Sequence, residues 1–104
     1  MINPVTLHVR DRAPGSDGRL RAITAHAHSR HSISVVAGAL HDGARAKGAR
    51  GIQPDDYVFR ESVSFAHWQD VWDYFSCREY AALATLLRHE VERAASQSGA
   101  PADT

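Results

Sequence analysis

Apolar and polar residues alternate from Val5 to Arg10 (VTLHVR), the period-two pattern of a half-buried strand with Val5, Leu7 and Val9 facing inward. Residues 11–18, DRAPGSDG, are dense in turn formers and read as a loop. The next segment, RLRAITAHAH over 19–28, fits two patterns. As a helix it gathers Leu20, Ile23 and Ala27 on one face; as a strand it sends Leu20 and Ile23 to opposite faces. The strand is preferred, because the preceding loop has the length and composition of a hairpin connection.

From Ser32 onward, Ile33, Val36, Ala37, Leu40 and Ala44 follow helical spacing, which predicts a helix over 33–47 capped by Ser32 or Ser34. Gly38 and Gly43 inside it would each cost about 1 kcal/mol relative to alanine. Such glycines make sense where this helix packs closely on Ala81, Ala82 and Ala84. Gly48 and Gly51 end it. After a turn at 53–56, Tyr57, Phe59 and Val63 alternate with Val58, Arg60 and Ser62 as a short strand, with Glu61 a misfit on the inward side.

The stretch 62–96 holds both tryptophans, two of the three tyrosines and two of the three phenylalanines. Burying each large apolar side chain contributes roughly 1.5 to 3 kcal/mol, so the core belongs where these residues cluster. Phe65, Trp68, Val71, Trp72 and Phe75 line one helical face, and the stripe loses register at Arg78 and Glu79. A second stripe runs from Tyr80 through Leu83, Ala84, Leu87, Val91 and Ala94. The spacing predicts helices over 64–75 and 77–95, with Ser64 capping the first and a Ser76-Cys77-Arg78-Glu79 capping box opening the second. One long kinked helix is the alternative. The predicted fold is α+β, order ββαβαα: a β-hairpin plus a third strand packed against three helices in a single domain over 1–95, with a flexible tail over 96–104.

Charge changes this picture more than composition does. The net charge is zero, yet residues 1–50 carry eight Arg/Lys against three Asp/Glu (+5), and residues 51–104 carry four against nine (−5). Five of the seven histidines also lie in the first half. The expected role is therefore a small, non-enzymatic, bacterial-type regulatory or inhibitory protein. It would bind an acidic protein partner, or the acidic half of a second copy in a homodimer, through Arg10, Arg12, Arg19, Arg21, His26, His28, Arg30 and His31. Trp72 is assigned to the core and Trp68 to the contact surface, since tryptophan and arginine dominate interface hot spots.

Nucleic acid is the alternative partner, although a helix over 33–47 would offer few base-reading side chains on its first turn. A second alternative is metal binding by His26, His28 and His31. Their H-x-H-x-x-H spacing resembles the metal motif H-x-H-x-D-H of metallo-β-lactamase-type hydrolases over six residues, with Arg30 standing where that motif has its aspartate. The expectation is no metal and no cofactor. No nucleophile motif surrounds Cys77 or His67, and GARAKGARG over 43–51 lacks the G-K-[ST] ending of a phosphate loop. A single cysteine, no apolar run of membrane-spanning length and no secretory leader pattern in MINPVTLHVR together suggest a cytoplasmic setting.

Overall fold

The computed structural model describes residues 4–10, 18–41, 43, 51–76 and 80–98. Four strands, β1 (Val5–Arg10), β2 (Leu20–Ser29), β3 (Ser32–Leu40) and β4 (Tyr57–Phe65), form one antiparallel meander in the order β1-β2-β3-β4. Two helices come after them, α1 (Trp68–Ser76) and α2 (Ala81–Ser98), and a 3₁₀ turn, Pro54–Asp56, leads into β4. The domain is α+β, but the order of its elements among the described residues is ββββαα, with two helices in place of three.

The hairpin of β1 and β2 forms as expected, pairing Leu7 with Ile23 and Arg10 with Leu20. Ile23 joins the main core while Leu20 packs on the opposite side of the sheet with Ala22, Leu40, Ile52 and Tyr57. The segment expected to be a helix over 33–47 is instead strand β3 up to Leu40, and positions 42 and 44–47 lie outside the described residues. Its residues support both periods, because Ile33, Val35, Ala37 and Ala39 alternate as cleanly as Ile33, Val36, Ala37 and Leu40 step. Pairing decides between them: β3 hydrogen-bonds to a strand on each side, and its β-branched residues suit a pleated, buried surface. Gly38 does serve a close approach, but to a strand: a Cβ there would sit 1.9 Å from the Phe59 carbonyl oxygen.

β4 runs to Phe65, so Ser64 is a strand residue and α1 begins four residues later. Ser76 ends α1, where its hydroxyl donates to the Asp73 carbonyl at 3.1 Å. The rest of the expected capping box, positions 77–79, lies outside the described residues. α2 starts at Ala81 and extends to Ser98, past the expected domain end at 95.

The core forms between one sheet face and the helices. Ile23, Ala25, Val35 and Ala37 from the sheet meet Val71, Phe75, Leu83, Leu87 and Val91 from the helices. Trp68 is 8% exposed and stacks on Trp72 with ring centroids 5.4 Å apart. Trp72 packs against the core as expected, partly covered and with Arg88 over its ring, whereas Trp68, expected at the contact surface, is the more deeply buried of the two. None of the described helices is long and apolar enough to cross a membrane.

Candidate functional site

A strand presents successive side chains to opposite faces, so the register assigns every strand residue to one side. Val5 and Leu7, Ile23, Ala25 and Ala27, Ile33, Val35 and Ala37, and Val63 and Phe65 face the helices. The other face carries Thr6, His8 and Arg10 from β1, Thr24, His26 and His28 from β2, Ser34 and Val36 from β3, and Arg60, Ser62 and Ser64 from β4. No helix lies on that side among the described residues. Ile52, Pro54 and Tyr57 cover part of it, from Leu20 and Leu40 to Thr24, Val36 and Arg60. One solvated face is the normal condition of an antiparallel sheet, but here its chemistry is one-sided. None of its described strand positions holds an aspartate or glutamate. The helical layer, in contrast, carries both signs: Asp70, Asp73, Glu90 and Glu92 lie on exposed or half-exposed positions, with Arg88 and Arg93 paired to Glu92 and Glu90.

Several polar groups on the open face are held in place by hydrogen bonds. The Thr6 and Thr24 hydroxyls lie 2.8 Å apart across the β1–β2 pair. Nε2 of His28 hydrogen-bonds the Ser34 hydroxyl at 2.8 Å, and the His26 and His28 rings lie 4.1 Å apart. Arg10 donates to the Gly18 carbonyl at 2.6 Å. Nδ1 of His8 is buried and has no hydrogen-bond partner among the described residues. Each of these positions follows from strand alternation, since T-x-H-x-H in β2 and S-x-S in β4 send every second, polar residue to one side.

The basic set expected from the sequence is thereby divided. Arg10, His26 and His28 share the open face. Arg19 and Arg21 have the opposite parity and lie on the helix side, where their guanidinium groups approach the rings of Phe59 (5.6 Å) and Tyr80 (5.9 Å). Arg30 and His31 form the turn between β2 and β3, and the His31 ring meets that of His67 edge-on at 5.7 Å. Arg12 lies outside the described residues, and Trp68 belongs to the core. Of the three histidines proposed as ligands only His26 and His28 adjoin, and among the described residues no group of three or more His, Cys, Asp or Glu side chains could hold a metal ion. His8, Arg60 and the hydroxyl row are additions the sequence reading missed; the signal for them was the alternation within β3, overlooked because a helical period fitted too.

A bulge in β4 sets the far end of the face. Leu40 pairs with Tyr57 while Ala39 pairs with Phe59, so Val58 is the extra residue. The inserted residue turns Tyr57 onto the open side, where its hydroxyl comes within 3.5 Å of Thr24 Oγ1. Phe59 stays on the helix side, beyond the reach of the helices and 66% exposed. Beside the bulge, buried Asp56 accepts the Gln53 backbone N–H at 2.8 Å through Oδ2 and contacts His41 Nε2 at 3.1 Å through Oδ1. This arrangement ties the segment before β4 to the end of β3. No protein-family model, curated protein or solved structure matches the chain.

Proposed function

We propose that the protein is a non-enzymatic regulatory or inhibitory module that binds an acidic protein through the open, polar face of its sheet. The observation that carries this reading is the chemistry of the open face itself: Arg10, Arg60 and three histidines stand there with a row of hydroxyls and no carboxylate at its described strand positions, whereas on α2 the carboxylates Glu90 and Glu92 are paired with Arg93 and Arg88. Such a face attracts an anionic surface over distance and offers it hydrogen-bond donors on contact. An acidic protein is favoured over nucleic acid because binding of single strands relies on aromatic stacking, both tryptophans and all three phenylalanines lie on the helix side, and Tyr57 on the open side is packed against Leu20, Ala22 and Leu40. The exposed carboxylates Asp70 and Asp73 on α1 of a second copy are a partner of the same kind.

The test is capture of partners from the native host with the wild-type protein and an Arg10→Glu, His28→Glu variant in parallel, and then titration of the captured protein. Affinity is expected to fall sharply between about 50 and 500 mM salt. Charge reversal on the open face should abolish binding, and Arg88→Glu on α2 should leave it intact. Binding indifferent to salt, or lost only through helix substitutions, overturns the reading. Retardation of DNA or RNA with the same dependence on Arg10 and His28 would replace the protein partner with nucleic acid.

A further inference from the structure

Where the segment before β4 folds back over the sheet it leaves a cavity of about 150 Å³. Val36, Ile52 and Pro54 give it an apolar wall, while Thr24, Tyr57 and Arg60 bring polar groups to its lining. The Tyr57 ring is anchored against Leu20, Ala22 and Leu40, which fixes the phenol relative to the sheet. Burial pushes that phenol above its ordinary range, so the hydroxyl stays protonated and able to donate. Thr24 Oγ1 sits between the Thr6 hydroxyl at 2.8 Å and the Tyr57 hydroxyl at 3.5 Å. Arg60 is the only charged group in the lining among the described residues. The nearby carboxylate of Asp56 is turned away to the Gln53 N–H and His41.

A concave site with an apolar wall and a few converging polar groups is the usual form of a small-ligand site. We propose that this cavity binds a small monocarboxylic acid with a compact apolar body, its carboxylate on Arg60 and the Tyr57 and Thr24 hydroxyls and its body against Val36, Ile52 and Pro54. The site is half open to solvent, and its volume of about 150 Å³ leaves room for the body of a ring or branched chain of about six carbons, the size that an enclosed apolar cavity of that volume accepts. A guanidinium matches a carboxylate in geometry, and the apolar wall discriminates against a bare inorganic anion. The inference does not rest on the macromolecular partner, because it is tested without one.

Benzoate titrated into the isotope-labelled protein should shift the backbone amide resonances of Thr24, Val36 and Tyr57 saturably, with a dissociation constant on the order of 1 mM. Neutral benzamide should bind about tenfold more weakly, and Arg60→Gln should weaken benzoate by a similar factor. Arg60 is exposed, so that variant keeps the fold. Val36→Phe, which fills the cavity from a half-exposed position, should abolish the shifts. The proposal is overturned if these amides do not respond, if benzamide or inorganic phosphate binds as well as benzoate, or if Arg60→Gln leaves the affinity unchanged.

Discussion

Replacing Gly38 with alanine separates the two readings of the segment 32–40 by the sign of its effect. A Cβ at Gly38 would lie 1.9 Å from the Phe59 carbonyl oxygen, 2.8 Å from Arg60 Cα and 2.9 Å from the Phe59 carbonyl carbon. Ordinary carbon contacts lie at roughly 3.5 to 4.0 Å, so β4 would have to retreat by more than about 1 Å. All three atoms are backbone in a strand paired with β3, next to the bulge at Val58, and cannot swing aside as a side chain would. Overpacking typically costs about 1 to 3 kcal/mol, and with a paired strand as the obstacle the expected loss is near 3 kcal/mol. In a helix the same substitution would stabilise by about 1 kcal/mol. Urea unfolding monitored by the fluorescence of Trp68 and Trp72 reads the difference. With a slope of about 1 to 3 kcal/mol per molar, the midpoint should fall by roughly 1 to 3 M. A midpoint that is unchanged or raised would refute the close packing of β3 on β4.

Two further outcomes concern the segment between β3 and β4. Asp56→Ala removes the acceptor of the Gln53 N–H and the partner of His41, and should cost about 1 to 3 kcal/mol in the same unfolding assay. A loss within experimental error would show that these bonds do not hold the segment. Burial raises the Tyr57 pKa against the opposing pull of the Thr24 hydroxyl and Arg60. The folded state thus keeps this proton more firmly than the unfolded chain does. That contribution is complete below the ordinary tyrosine value of about 10 and disappears as pH climbs through the raised folded value. Stability measured across this range should decline for the wild type and less steeply for Tyr57→Phe; equal declines would count against the buried phenol as a source.

The sequence alone determined the helical half of the core. Val71, Phe75, Tyr80, Leu83, Leu87 and Val91 have to be buried wherever the chain can bury them, and their helical spacing turns them to one side. The first hairpin was equally legible, because alternation in VTLHVR and a turn-rich loop are local signals. Segment 32–40 was not. Its small and β-branched residues satisfy both a period of two and a period near 3.6, and only the two neighbouring strands that hydrogen-bond to it remove the ambiguity. With β3 misplaced, the open face could not be assembled from the pattern: the charge asymmetry was visible, but not that parity sends Arg10, His26 and His28 to one side and Arg19 and Arg21 to the other. The bulge at Val58 likewise leaves no clear mark on the local pattern, yet it places Tyr57 beside Thr24 and makes the cavity. Which residues are apolar is a property of the chain. Which face a polar residue reaches depends on the register between strands distant in sequence, and that is settled only when the sheet closes against its helices.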